Sequence, residues 1–235
     1  MKKITLFSAL LISFSAFAQN TAFKLPAEIK FDKNVVQKVN DKKEGTLSYY
    51  FTTNGDYAAL KPDNKEGSLI LYSKEGNMMI VSEKEKSIIV MNMKAFMNKA
   101  KDMTKDRQYS KDSSASKSNF KKTGNTKTIC GYAAEEYEIT NEKGKMNIWY
   151  IKADFDSALA LSMGMGKGPA GRNPMPNGDL ENIPGIGKNF FMAEMEKNDK
   201  KVIETISITK TDYTFSSAGY TIRDMSDMMK GNYNQ

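Results

Sequence analysis

The chain has 235 residues with 35 basic and 28 acidic side chains, a formal net charge of +7, 16 Met, one Cys and no His. Without imidazole there is no Ser-His-Asp or Cys-His machinery and no ordinary zinc site, and a single cysteine excludes an internal disulfide. The basic excess is scattered, which suits a solvated surface open to anionic partners such as acidic lipid or glycan, and nothing points to nucleic acid.

The first residues, MKKITLFSALLISFSAFA, place Lys2 and Lys3 before an apolar run and Ala16-Phe17-Ala18 before Gln19. This is the pattern of a secretory signal cleaved after Ala18. The run is shorter than the ~20 residues a membrane span needs, and serines interrupt it. The expected product is a periplasmic, non-transmembrane chain from Gln19 to Gln235, folded as one domain.

The N-terminal half reads as strands joined by short turns. In TLSYYFTTNGDYAAL, an Asn54-Gly55 pair suits the two positive-φ positions of a type I′ hairpin. It sets Thr52 against Tyr57, Phe51 against Ala58 and Tyr49 against Leu60. SLILYSKEGNMMIVSEKEKSIIVMNM adds three arms with turns at Lys74–Asn77 and Glu83–Lys86. These place Tyr72 opposite Met79, and Ile70 opposite Val81, which also faces Ile88; Leu71, Ile80 and Ile89 take the other face. Both faces are apolar, so the meander is expected to be covered front and back.

Next, Phe96, Met97, Ala100 and Met103 recur at spacings of three and four, which predicts an amphipathic helix from Met93 to about Lys105, capped by Asn92. RQYSKDSSASKSNFKKTGNTK has almost no apolar content, so residues 106–127 are expected to be a flexible connection.

TICGYAAEEYEITNEKGKMNIWYIK predicts a hairpin with Ile139 against Met146 and Tyr137 against Ile148 on an apolar face. Glu138 against Asn147 and Glu136 against Trp149 form a polar face, with both glutamates directed to solvent. Cys130 is either a small buried residue or a free thiol. Trp149 either packs beneath a loop or offers a carbohydrate platform.

A short helix is expected from Asp156 to Met163, then a glycine-rich flexible segment over 164–188. GMGKGPAG lacks the G-x-x-x-x-G-K-[ST] spacing of a phosphate loop. Phe190 to Lys197 reads as one or two helical turns, KKVIETISITKTDYTF as a strand, and AGYTIRDM as a final strand. Met91-x-Met93 and Met163-x-Met165 could in principle hold Cu(I), but methionine at these positions fits apolar filling, so no metal or cofactor is expected.

The residues Gly131-Tyr132, Glu136-Tyr137 and Ile148-Trp149-Tyr150, preceded by the basic KKTGNTKTI, resemble an uncharacterised family of exported proteins similar to the outer-membrane lipoprotein carrier (Lol) superfamily. The resemblance covers most of Thr46 to Met225. It implies an α+β fold: a curved antiparallel sheet forming a half-open barrel, with one or two helices covering the concave face and an apolar cavity between. The cavity candidates are Tyr49, Phe51, Ile70, Tyr72, Met79, Val81, Ile88, Val90, Phe96, Tyr137, Ile139, Met146 and Ile148.

The expected function is a non-catalytic, monomeric binding protein for an apolar or lipidated ligand, with lipid or lipoprotein as partner. The alternative is a cell-envelope structural or interaction module with no small-molecule ligand. No general base with a perturbing neighbour supports an enzyme.

Overall fold

A computed structural model describes residues 24–40, 44–63, 67–93, 119–141, 144–157, 159 and 189–225. Among the described residues the protein is all-β: strand makes up 71% and helix 2%. Twelve strands form one open sheet in the order β14-β7-β6-β5-β4-β3-β2-β12-β11-β10-β9-β8, and β1 pairs with β13 in a separate ribbon. The strands are β1 (Glu28–Lys30), β2 (Lys33–Asn40), β3 (Glu44–Phe51), β4 (Tyr57–Pro62), β5 (Ser68–Ser73), β6 (Asn77–Ser82), β7 (Ser87–Asn92), β8 (Asn119–Ile129), β9 (Tyr132–Asn141), β10 (Gly144–Lys152), β11 (Phe190–Lys197), β12 (Lys200–Lys210), β13 (Thr214–Ser216) and β14 (Thr221–Asp224). Every pairing is antiparallel except β14 with β7.

The expected α+β architecture is therefore corrected: among the described residues no helix covers the sheet. The amphipathic segment beginning at Met93, with Phe96, lies outside the described residues beyond position 93, as do five of the eight residues (158 and 160–163) of the short segment expected to be helical from Asp156 to Met163. Phe190 to Lys197, expected to be helical, is strand β11. Its alternation is broken by a bulge at Ala193, which stands between Met192 and Glu194 without a partner on β10, and disguised by buried Glu194. The lysine-rich stretch expected to be a connection ends in edge strand β8. An edge strand needs few apolar residues because the ladder to its one neighbour holds it, and lysines there discourage further pairing.

Turn chemistry sets the registers. Phe51 pairs with Ala58 and Tyr49 with Leu60, as the Asn54-Gly55 reading requires. The turn itself differs: Gly55 alone has positive φ, and Thr52 closes the loop through N–H and Oγ1 bonds to the Tyr57 carbonyl. The type I′ signature appears instead at Cys130-Gly131, with φ of 49° and 85°, and at Asn198-Asp199, with φ of 51° and 60°. Between β5 and β6 the loop has three residues, not four, with Gly76 at φ 85°. This is the three-residue hairpin ending in a left-handed residue. It shifts the pairing by one residue: Tyr72 meets Met78 and Ile70 meets Ile80. A one-residue slip exchanges faces, so Ile70 and Tyr72 lie opposite to Met79, Val81 and Ile88, contrary to the expected register.

The half of the sheet from β2 to β8 is curled. Lys33 on β2 reaches the Tyr132 hydroxyl on β9 at 3.3 Å although β12, β11 and β10 intervene. In a flat sheet these strands would be about 19 Å apart. Register shifts at Trp149/Tyr150, Met195/Glu196, Thr205/Ser207 and Lys122/Thr126 supply the bend, because a bulge kinks its strand and increases the local twist. The concave side holds the main core, including Val35, Tyr49, Phe51, Ala58, Trp149, Ile151 and Phe191, closed by Ala153 and Phe155 after β10. On the convex side, Tyr137, Ile139, Ile148 and Tyr150 form one small cluster. A larger one joins Leu69, Leu71, Met79, Val81, Ile88 and Val90 of β5–β7 to Ile29 and Phe215 of the covering β1/β13 ribbon and to Leu25 and Phe31, which flank β1.

Gly76 has open space where a Cβ would stand, so its replacement costs only the left-handed conformation. Gly76→Ala is expected to lower stability by about 1–2 kcal/mol, read as a shifted urea midpoint with unchanged slope. An unchanged midpoint would mean that the β5–β6 loop, and with it the facing of these strands, is misassigned.

Candidate ligand-binding face

The concave side of β3–β7 is built from two transverse rows fixed by the registers. Tyr49, Leu60, Ile70, Ile80 and Ile89 pair in succession across the five strands, and Phe51, Ala58, Tyr72, Met78 and Met91 do the same beside them. The β3 and β4 ends of these rows dip into the main core, where Tyr49, Phe51 and Ala58 are buried. Toward β7 they emerge: Ile70, Tyr72, Met78, Ile89 and Met91 are half-buried, and Ile80 is 37% exposed. Strands with water on one side normally alternate apolar and polar residues. Here the opposite face of β5–β7 is already buried under β1 and β13, so the half-open rows have no structural need to be apolar.

The candidates for one apolar lining fall into three places. Tyr49, Phe51, Ile70 and Tyr72 share the concave rows. Met79, Val81, Ile88 and Val90 belong to the convex cluster under the ribbon, and Tyr137, Ile139 and Ile148, with Met146 packed against them, form the other convex cluster. Phe96 lies outside the described residues. The concave face instead recruits Leu60, Met78, Ile80, Ile89 and Met91. The three-residue loop at Gly76 is the signal that would have selected them.

Tyr49 and Tyr72 bring the only polar atoms into these rows. Burial pushes the Tyr49 phenol up to about 12, with a smaller contribution from neighbouring Tyr72. Both phenols are therefore neutral donors at any physiological pH.

The curled half carries buried polar groups that hold its shape. Glu136, expected to face solvent, is buried, and its carboxylate accepts bonds from Thr123 Oγ1 at 2.8 Å, Asn125 Nδ2 at 2.7 Å and Asn147 Nδ2 at 2.7 Å. Burial raises its proton affinity, but bonds from Asn125, Thr123 and Asn147, aided by Lys145, outweigh that and hold the carboxyl below its usual range. Thr123 and Asn125 sit in the β8 bulge, within the stretch whose composition suggests a connection.

Glu194 is likewise buried, and Lys127 Nζ pairs with it at 2.7 Å while lying 4.0 Å from the Trp149 ring centre. That contact covers the indole, so Trp149 packs inside rather than offering a platform. Glu194 is desolvated yet kept below the usual carboxylate range by Lys127, by a hydrogen bond with Glu196 and by Lys201. Burial and the Glu194 charge push Glu196 the other way.

At the rim, Lys33 contacts Asp154 at 2.9 Å, and the Tyr132 hydroxyl donates to Asp154 at 2.7 Å. Lys33 and Tyr132 together hold the Asp154 carboxyl low. Cys130 is exposed at its turn, where its thiol donates to the Thr205 carbonyl at 3.6 Å, and burial followed by Glu204 raises its pKa.

A shallow cleft of about 400 Å³ lies elsewhere, lined by Glu28, Lys30, Asp32, Asn54, Asp56 and Tyr57 among others. Its mixed charges do not continue the apolar rows. Among the described residues no group of three acidic, cysteine or histidine side chains could hold a metal ion, and no helix is long and apolar enough to cross a membrane.

Among the described residues these features define an all-β protein with one open, partly curled, mostly antiparallel sheet and a half-exposed apolar wing. The chain belongs to the family described as "Domain of unknown function (DUF4412)", which matches residues 35–217. No curated protein matches the chain. Among solved structures it is similar to PNGF-II in a C2 crystal form, at 13% identity and a TM-score of 0.44 over 86% of this chain. The P21 form of PNGF-II gives 11% and 0.42 over 86%. In both cases the match spans 33% of the PNGF-II chain. An uncharacterized conserved protein from Thermus thermophilus matches at 5% identity and a TM-score of 0.42, covering 83% of this chain and 90% of that one.

Removing the Lys127 ammonium strands the Glu194 carboxylate. Because Lys127 is partly exposed and Lys201 stays 3.5 Å away, Lys127→Met is expected to cost about 2–3 kcal/mol, less than a fully buried pair. Glu194 titrates below its usual value in the folded protein, so the pair's stabilisation is present above the unfolded pKa and is lost as pH falls through the folded one. Urea titrations of the wild type and the variant should therefore converge as pH drops below about 4. A gap independent of pH would show that lost packing, not charge, is responsible.

Proposed function

We propose that the protein is an exported, non-catalytic binding protein that carries an apolar or lipidated guest in the periplasm, in the manner of the lipoprotein carriers to which the exported family it resembles is similar. The observation that supports this reading is the pair of apolar rows on β4–β7, half-open on the concave side while the other side of the same strands is already packed. Methionines at Met78 and Met91 suit the role, since the flexible thioether adapts to guests of varied shape.

The magnitudes are adequate. Each methylene removed from water contributes about 0.8 kcal/mol, so about ten carbons of an acyl chain contribute roughly 8 kcal/mol before ordering costs. Charge steering is screened within about 8 Å at physiological salt and adds little by comparison.

Lipid extraction of the intact protein purified from its native envelope, followed by mass spectrometry, is expected to recover acyl-chain compounds. Added fatty-acid or lipopeptide probes should bind saturably with little dependence on salt. A protein that yields no lipid, binds no such probe and instead copurifies with a stoichiometric protein partner would replace this reading with that of an interaction module.

A further inference from the structure

The first transverse row does not stop at β7. The short edge strand β14 runs parallel to β7 and pairs Arg223 with Ile89 and Ile222 with Ile88. Partners in a ladder point to the same face, so Arg223 extends the row Tyr49-Leu60-Ile70-Ile80-Ile89 on the concave side. Asp224, paired with Val90, falls on the other face. Arg223 is exposed and enters no ion pair among the described residues.

From Leu60 on β4 to Arg223 on β14 the row crosses four strand spacings, about 19 Å. Along that length the side chains are aliphatic, and the charge comes only at the end, at the open edge of the sheet. An arginine fork there matches a carboxylate or phosphate and presents two parallel donors to it.

We propose that the guest is a single-chain anionic amphiphile. Its acyl chain lies along the Leu60-Ile70-Ile80-Ile89 row, and its acidic head is bound by Arg223. This rests on the apolar-guest reading above and adds the sign of the head group, the direction of the chain and the residue that recognises the head. A neutral head would leave the Arg223 charge uncompensated while gaining the same apolar contact. The preference for an acid is therefore modest in size, and it is specific to this residue.

The test uses 11-(dansylamino)undecanoic acid and its methyl ester, which differ only in head charge, titrated into the full mature chain by dansyl fluorescence. The acid is expected to bind about fivefold more tightly than the ester. Arg223→Gln should remove that difference by weakening the acid alone, while Ile80→Asp should weaken both probes. Folding of each variant is checked by its urea midpoint. Equal binding of acid and ester to the wild type, or an Arg223→Gln variant that keeps the preference, overturns this inference and leaves the apolar-guest reading standing. Failure of both probes to bind overturns the two together.

Discussion

The curl of the sheet between β2 and β8 is the constraint on which the rest of the structure depends. A flat sheet of twelve strands could not bring Lys33 to Tyr132, Tyr49 to within 5.7 Å of Phe191, or Cys130 to the Thr205 carbonyl. Bulges on β8, β11 and β12 and at the β10–β11 ladder bend it, and each bulge frees backbone and side-chain groups that must be satisfied in place. Glu136 with Thr123, Asn125 and Asn147 does this at β8; Gln37, bonded to the Met192 carbonyl and to Thr205, does it between β2, β12 and β11. The buried polar groups are thus a consequence of curvature.

Curvature also divides the molecule. Where the sheet bends, its own side chains and the Ala153–Phe155 segment fill the concavity, and the core closes without help. From β4 to β7, where the ladders run without register shifts, the convex side is sealed by a separate ribbon with a stacked Phe31–Tyr213 pair, and the concave side is left with its apolar rows half-open. Apolar surface on both faces of a strand is normally a sign of burial on both sides. In the function proposed above, half-exposure of one of them gives a guest its place. The rows are continuous with the core, so a guest would extend the packed interior rather than occupy a separate chamber.

Much of this was legible in the sequence. The hairpin joining β9 and β10 and the one joining β3 and β4 have the registers their turns imply, and β6 meets β7 as the Glu83–Lys86 turn requires. What failed has common causes. A loop shorter by one residue at Gly76 exchanged the faces of Ile70 and Tyr72. The bulge at Ala193 broke the period of two in β11 and let Phe190–Lys197 pass for helix. Edge strand β8, held by hydrogen bonds rather than by burial, carries almost no apolar residues and looked like a connection. Glu136 was misplaced because its partners Thr123 and Asn125 lie in that same strand. Arg223 could not be placed on the apolar row without the parallel pairing of β14, since parallel edge pairing between a terminal strand and one far upstream leaves no local pattern.

The most direct test is isoleucine methyl NMR of the protein with and without saturating dodecanoate. The account predicts that the methyls of Ile70, Ile80 and Ile89 shift together, while those of Ile139 and Ile148 on the convex cluster keep their positions. Shifts confined to Ile139 and Ile148, or no shift at any of the five, would contradict it.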